Sequence, residues 1–187
     1  MLILFNKPYQ MLSQFNPNPD YPEQRTLPPA LAELGVLPLG RLDYDSEGLL
    51  LLSDEPGLER EVLHPDRQHT RTYLVQVDGT PTEEAVDFLK RGGLEIRVGK
   101  KRHVCAPVQV QMLSGPPEWL WERSPMVDEA SERRSSWMAL TLTEGKNRQV
   151  RRMTAKIGCP TLRLIRAQVL EYEVEAIRSG EYVQTER

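Results

Sequence analysis

The residues best placed to do chemistry lie in a short polar loop that ends at a run of four leucines. The loop contains Arg41, Asp43, Asp45, Ser46 and Glu47, it is bracketed by Gly40 and Gly48, and Leu49-Leu50-Leu51-Leu52 follows it. The leucine run is too short to span a membrane and is typical of a fully buried strand. Asp43 therefore lies at the mouth of a rigid element and is a candidate catalytic carboxylate. On composition alone, a solvated turn capped by Asp and Ser explains the same residues.

A second polar feature is a basic stretch near the end of the chain. The formal net charge of the protein is −3, yet residues 145–166 contain seven basic residues and no acidic one. The seven are Lys146, Arg148, Arg151, Arg152, Lys156, Arg163 and Arg166. A basic face on an acidic body is what a phosphate-binding groove requires, so the stretch predicts contact with nucleic acid.

A helix predicted over residues 147–157 would order part of this basic stretch. On a helix that starts near Asn147, Arg148, Arg151 and Arg152 share one face, while Val150 and Met153 turn toward the core. The helix N-terminus would add backbone N–H donors for a phosphate group. A run of charges is usually a solvated face, but the lack of acidic partners here favours phosphate.

The remaining elements predict an α+β fold. We expect strands at 2–5, 49–52, 69–79, 137–143 and 161–172, and two or three strands within 94–113, one of them at 108–112. We expect helices at 28–34, 56–63, 82–90 and 147–157. Strands outnumber helices and several connections are short, which favours a mixed, largely antiparallel sheet with flanking helices over a doubly wound sheet. Residues 115–136 are rich in Pro, Glu, Arg and Ser and are interpreted as an exposed insertion.

Composition limits the class of protein. With 187 residues and 39% hydrophobic content, we expect a single catalytic domain over 1–187, with room for two lobes. No signal peptide or membrane-length apolar run occurs, so we expect a soluble, cytoplasmic protein. Cys105 and Cys159 are too few for a disulfide framework, and we expect both to be reduced and structural. His103 and Cys105 have no further ligand nearby in sequence, so we predict no metal site.

The polar loop also carries a resemblance to a known family. Gly40-Arg41-Leu42-Asp43, followed by Ser46-Glu47-Gly48-Leu49-Leu50-Leu51, resembles the signature loop of the pseudouridine synthases that modify ribosomal RNA. In that branch the Asp after Arg-Leu is catalytic. The resemblance therefore assigns the catalytic role to Asp43.

Three further segments match the same family. Arg71-Thr72-Tyr73-Leu74-Val75 resembles its second motif, which implies that Tyr73 lies against the target base and transfers a proton. The segment 142–153 resembles its third motif, in which the basic residue after Gln-Val, here Arg151, pairs with the catalytic Asp. Thr161-Leu162-Arg163-Leu164-Ile165-Arg166 resembles its last motif, which implies that Leu164 borders the active site. The segments 119–121 and 148–155 also resemble a subgroup that acts on the large ribosomal subunit.

The resemblance implies a fold and a set of partners. The fold is a bisected sheet with the active-site cleft across its middle. The RNA would be ribosomal, from the 23S molecule, and its substrate-binding residues would be Arg41, Lys146, Arg148, Arg152 and Leu164. We expect no cofactor and a monomer. The chain begins at the family's opening strand without the small S4-type RNA-binding domain of many relatives, so this branch lacks that domain or the sequence starts late.

The chemistry implied by the resemblance needs an ionised carboxylate. Uridine must be extruded, released from its sugar at N1, turned and rejoined through C5. Asp43 would act either as a nucleophile at C1′ or as a base at C2′, and Arg151 would keep it charged. Arg41 would hold the phosphate or fill the vacated space. The main alternative is a non-catalytic RNA-binding module that uses the 145–166 surface; a calcium loop or a glycosidase built on Asp43 fits the residue types poorly.

Overall fold

A computed structural model describes residues 1–64 and 67–185 of the chain. The strands are β1 (Leu2–Lys7), β2 (Leu37–Pro38), β3 (Glu47–Ser53), β4 (Arg71–Asp78), β5 (Glu95–Val98), β6 (Lys101–Val104), β7 (Gln109–Leu113), β8 (Ser135–Leu142), β9 (Thr161–Val169), β10 (Tyr172–Glu173) and β11 (Tyr182–Thr185). The helices are α1 (Pro29–Glu33), α2 (Leu58–Leu63), α3 (Glu83–Arg91), α4 (Glu129–Arg134) and α5 (Gln149–Lys156). The chain forms two compact units, one of residues 1–69 and 165–187 and the other of residues 70–164.

The first unit is built on two fully buried strands. All six residues of β1 and all seven of β3 are buried, and the two strands pair antiparallel. Strand β11 continues the sheet on the far side of β1. On one face, alternate apolar side chains such as Phe5 and Leu50 pack with Leu31 of α1 in a hydrophobic core. The predicted leucine strand is therefore confirmed, and it is anchored at the centre of this unit.

Gly48 lies at a close backbone approach between β3 and β9. Strand β3 pairs in parallel with β9 through Glu47 opposite Ile165 and Gly48 opposite Arg166. Gly48 has φ of +100°, and a Cβ atom built on it would lie 2.4 Å from the carbonyl oxygen of Arg166. Only glycine combines this backbone conformation with this proximity. The start of β3 can therefore pair directly with β9.

The second unit has its own core. Strand β4 pairs antiparallel with β8 over its full length, and β8 pairs antiparallel with β7. Strands β5 and β6 form a separate two-stranded hairpin. Val150 and Met153 of α5 are buried in the same cluster as Val75, Met138 and Leu140, as the helical spacing predicts. Thr82 accepts a hydrogen bond from the N–H of Ala85 and so caps α3 at its predicted start.

The predicted α+β class with a mixed, largely antiparallel sheet is confirmed. The last long strand is shorter than predicted, because Leu170 takes a positive φ of 56° and the chain turns back into β10. Strand β11 had no prediction. The 115–136 insertion contains α4, whose first turn is capped by Asp128. Across the two ranges that the structure describes, none of the helices has the length and apolarity needed to cross a membrane.

We predict that Gly48→Ala strongly destabilises the protein. The new Cβ would clash with the Arg166 backbone, and alanine would have to adopt a positive φ that L residues disfavour. The free energy of unfolding should therefore fall by about 2–5 kcal/mol. Gly115→Ala is the control, because a Cβ at Gly115 would have no atom within 4 Å from the described residues other than its chain neighbours. Urea denaturation of both variants measures the difference. Equal stability of the two variants would contradict the close approach of β3 and β9.

Candidate active site

Asp43 lies in a tight turn whose two ends are buried. Before it, Leu42 is buried, and Ser13 both accepts a hydrogen bond from the Leu42 N–H and donates one to the Leu42 carbonyl, at 3.0 and 2.9 Å. After it, the Ser46 N–H donates to the Asp43 carbonyl at 3.0 Å, and Glu47 is buried at the start of β3. Asp43 itself is half-buried. The backbone on both sides therefore fixes the carboxylate at the edge of the core.

Arg41 lies on the outer side of this turn. Its side chain is exposed, and its Nη2 atom donates to Oε1 of Gln14 at 3.4 Å. Such a long, exposed hydrogen bond is weak, so a phosphate oxygen could replace it at little energetic cost. The position is compatible with the predicted substrate-binding role, which stays a prediction.

A buried lysine lies close enough to the Asp43 turn to interact with its charges. Lys7 is completely buried at the end of β1, and its Nζ atom donates to the carbonyls of Pro8 and Met11 at 2.9 and 2.7 Å. Burial lowers the pKa of Lys7 to about 7; Glu47, Asp45 and Asp43 act in the opposite direction. Lys7 was not among the predicted site residues, although a lysine two positions after the apolar run 2–5 is a signal for it.

Arg166, like Lys7, is a buried basic residue of the first unit, contrary to the predicted basic surface. Its side chain is 6% exposed, and its Nε atom donates to the Leu49 carbonyl at 2.8 Å. In the second unit, Arg163 is 7% exposed, donates to the Trp121 carbonyl at 2.8 Å and lies over the Trp121 ring. The prediction that the 145–166 stretch is a basic surface is therefore wrong for these two arginines, which connect elements within their own units.

Two of the predicted site residues belong to the core of the second unit. Leu164 is buried within its hydrophobic cluster, and Tyr73 is partly buried and packs against the same cluster. Tyr73 stands opposite Leu140 in the β4–β8 pair. Packing thus places both side chains, while their roles toward a substrate stay predictions.

The basic helix begins later than predicted. Arg148 precedes α5 in a left-handed conformation with φ of 52°, and the helix starts at Gln149. The prediction that Arg148 shares a helical face with Arg151 and Arg152 is therefore wrong. Arg151 and Arg152 are in the first turn of α5, whereas Arg148 and Lys146 lie in the exposed segment that leads into it.

A hydrogen-bond network holds this segment in place. Gln149 is buried; its Oε1 atom accepts from the Lys146 N–H at 2.9 Å, and its Nε2 atom donates to Glu144. Glu144 also accepts from the N–H of Ala106 and interacts with Nε2 of His103, each at 3.0 Å. Burial alone would raise the pKa of Glu144, but these hydrogen bonds outweigh it and lower the pKa.

The same network brings together three potential metal ligands. Ligand atoms of His103, Cys105 and Glu144 all lie within 4.8 Å of one another. Glu144 was not predicted as a partner of these two residues, because it is 39 residues beyond Cys105 and joins it only through the fold. The hydrogen bonds of Glu144 already account for the arrangement as an anchor for the segment before α5. Burial, together with the nearby Glu144 carboxylate, raises the pKa of the Cys105 thiol to about 11.

Sequence comparisons give this geometry a context. The model of the RNA pseudouridylate synthase family matches residues 1–156. A ribosomal large subunit pseudouridine synthase E from Xanthomonas axonopodis pv. citri is 44% identical over 95% of this chain and 90% of its own length. A protein of the same name from Vibrio vulnificus is 41% identical over 97% of this chain and 73% of its own length. The predicted subgroup is therefore confirmed.

Solved structures agree on the fold. A crystal structure of a pseudouridylate synthase matches with a TM-score of 0.72 and 24% identity, covering 97% of this chain and 68% of the other. An H/ACA ribonucleoprotein bound to a substrate RNA that contains 2′-deoxyuridine matches with a TM-score of 0.55 and 13% identity, covering 92% of this chain and 48% of the other. At these identities the matches show a shared fold.

We predict that Lys7 makes stability depend on pH. Between about pH 7 and its ordinary value of 10.5, the unfolded chain binds a proton at Lys7 that the folded protein does not. The free energy of unfolding should therefore gain up to about 1.4 kcal/mol per pH unit from this group as pH rises through that window. Lys7→Met should remove this contribution, and Lys90→Met, at a half-exposed position, should retain it. Urea denaturation from pH 6.5 to 9.5, roughly that window, gives the slopes; equal slopes in all three proteins would contradict the assignment.

Proposed function

The chain belongs to the RNA pseudouridylate synthase family, and we propose that it isomerises a specific uridine of large-subunit ribosomal RNA, the 23S molecule, to pseudouridine. The observation that carries this proposal is the match, at 41–44% identity over 95–97% of the chain, to relatives named ribosomal large subunit pseudouridine synthase E. The support from this chain itself is the half-buried Asp43, held in a turn at the start of a buried strand.

The proposed reaction conserves every atom of the substrate. The bond between N1 of the base and C1′ of the ribose breaks, the base turns in its pocket, and a bond forms between C5 and C1′. The proton on C5 leaves and N1 gains a proton, so no oxidant, reductant or water is consumed. Asp43 acts on the sugar, either as nucleophile at C1′ or as base at C2′. For the same reason the reaction requires no cofactor.

Two residues of the second unit complete the proposed chemistry. Tyr73 transfers the proton that leaves C5, and its packing against the core keeps its ring in one orientation. Arg151 pairs with Asp43 and keeps the carboxylate ionised. Support for Arg151 comes from its place in the first turn of α5, just after the segment that Glu144 and Gln149 hold.

The remaining site residues bind RNA in this proposal. Arg41, Lys146 and Arg148 have exposed side chains that can meet phosphate oxygens, and Arg152 is partly exposed at the start of α5. Leu164 borders the base from the core of the second unit. We further propose that the protein acts as a monomer in the cytoplasm, where ribosomal RNA is modified in bacteria.

Replacing Asp43 with Asn tests the enzyme against the non-catalytic RNA-binding alternative. The change keeps the side-chain volume and removes the reactive carboxylate, so release of tritium from 5-tritiated uridine in 23S transcripts should fall by at least about 10⁴. RNA affinity should stay close to that of the wild type. Asp45→Asn, in the same turn and equally half-buried, is the matched control and should stay within about tenfold of wild type.

Melting temperatures must accompany this test, because leaving a partner charge unpaired can cost a few kcal/mol. A folded Asp43→Asn variant that releases tritium at the wild-type rate would move the catalytic role to another residue. Wild-type protein that binds these transcripts without releasing tritium would support the binding module.

Arg151 and Arg148 should differ in what their loss affects. Arg148→Gln should weaken RNA binding and flatten the slope of log affinity against log salt by about 0.7 to 0.9, since it removes one phosphate contact. Arg151→Gln should lower turnover much more than affinity, since its proposed partner is Asp43. Gln is used at both positions because it removes the positive charge while keeping a polar side chain of intermediate length. Equal losses of affinity with unchanged turnover in both variants would remove the Asp43–Arg151 pair from the mechanism.

A further inference from the structure

An open groove in the second unit is lined mainly by cations. It has a cavity volume of about 580 Å³ and lies between the β5–β6 hairpin and α5. Its lining residues are Glu95, Ile96, Arg97, Arg102, Arg152, Ala155 and Lys156. Four of these carry a positive charge and one a negative charge, on a chain whose formal net charge is −3. The groove therefore concentrates positive charge that the rest of the protein does not share.

The hairpin keeps this charge despite an energetic cost. Arg97 and Arg102 stand directly opposite each other across the β5–β6 pair, an arrangement in which like charges repel. The nearby carboxylate of Glu95 lies 3.4 Å from Nη1 of Arg102, and both side chains are more than half exposed. An exposed pair of this kind contributes little. The single carboxylate of Glu95 therefore neutralises only a small part of the positive charge of the groove, and the rest can interact with a bound anion.

Arg152 connects the groove to the basic segment before α5. Its Nη1 atom donates to the Arg97 carbonyl, and its Nη2 atom donates to Asn147 at 3.3 Å. Its Nε atom is buried without a hydrogen-bond partner among the residues that the structure describes. Lys156 lies one turn further along α5, about 6 Å away along the helix axis. Basic side chains thus form a continuous line from the segment at residues 146–148, along α5, to the β5–β6 hairpin.

We propose that this groove binds the phosphodiester backbone of the substrate RNA beyond the nucleotide that reacts, an inference that rests on the proposed function. A ribose–phosphate chain supplies repeated single charges, and the guanidinium groups of Arg97 and Arg102 match phosphate oxygens in pairs. The groove is polar and open, with one buried apolar residue, Ile96, in its lining. It therefore suits a backbone better than a base, and contributes affinity rather than sequence discrimination.

The test compares salt dependence of binding in groove variants. The double variant Arg97→Gln/Arg102→Gln should bind a 23S transcript fragment about tenfold more weakly at about 0.1 M salt. The slope of log affinity against log salt should flatten by about 1.4 to 1.8, since two phosphate contacts are lost. The matched control is Arg133→Gln in α4. Like Arg102, Arg133 is mostly exposed and pairs with one glutamate, Glu129, at 2.8 Å, and it lies outside the groove. It should bind as the wild type does.

The outcomes separate this inference from the proposed function. Tritium release by the wild-type protein on the same transcript tests the proposed function alone. An unchanged slope and affinity in a folded double variant would overturn the groove inference even if the wild type is active. Polyglutamate serves as a probe for acidic proteins in the same binding assay. If the wild type binds polyglutamate and the double variant loses that binding while its RNA binding is unchanged, the groove would be assigned to an acidic protein and the inference would be overturned. A flattened slope in the double variant with a normal slope in Arg133→Gln would support it.

Discussion

The placement of Asp43 depends on the side-by-side burial of β1 and β3. Both strands are buried along their whole length, so their ends are as constrained as their centres. Polar residues occupy those ends: Lys7 closes β1, and Glu47 opens β3. In a low-dielectric surrounding, such groups must find hydrogen bonds and opposite charges, and Lys7 does so with two backbone carbonyls. The turn that carries Asp43 leads directly into β3 and is therefore held in place by it.

Gly48 shows how a single residue controls this arrangement. Its missing side chain allows β3 to lie against the backbone of β9, and Arg166 then donates to the Leu49 carbonyl from the same strand. The close approach and the buried guanidinium reinforce each other. A reactive carboxylate benefits from such a support, because a displacement of about 1 Å can cost about 10²-fold in rate.

The second unit uses a different device to position its basic residues. Glu144 and Gln149 form a partly buried set of hydrogen bonds that fixes the segment before α5 to the connection between β6 and β7 at Ala106. Arg148 can then hold a left-handed conformation, and Arg151 follows in the first helical turn. Some arginines of this stretch are therefore buried and hold elements together, whereas others are exposed to solvent. Net charge alone would have concealed this division, since the chain as a whole is acidic.

The sequence by itself determined the fold class, most elements and the location of the candidate catalytic loop. Apolar runs and alternation depend on nearest neighbours along the chain, so β1, β3, β4 and α3 follow from their own residues. The family resemblance depends on short contiguous motifs for the same reason. Boundaries set by single backbone conformations, such as the start of α5 after Arg148 and the end of β9 before Leu170, did not follow from these patterns.

Only the tertiary structure decided which charged residues are buried and which groups meet. Arg163 and Arg166 look like surface residues in a basic run, but packing places them in the interior. Glu144 meets His103 across 41 positions, and Arg97 meets Arg152 across 55. Such contacts depend on how distant strands and helices pack, a property that no local pattern of residues encodes.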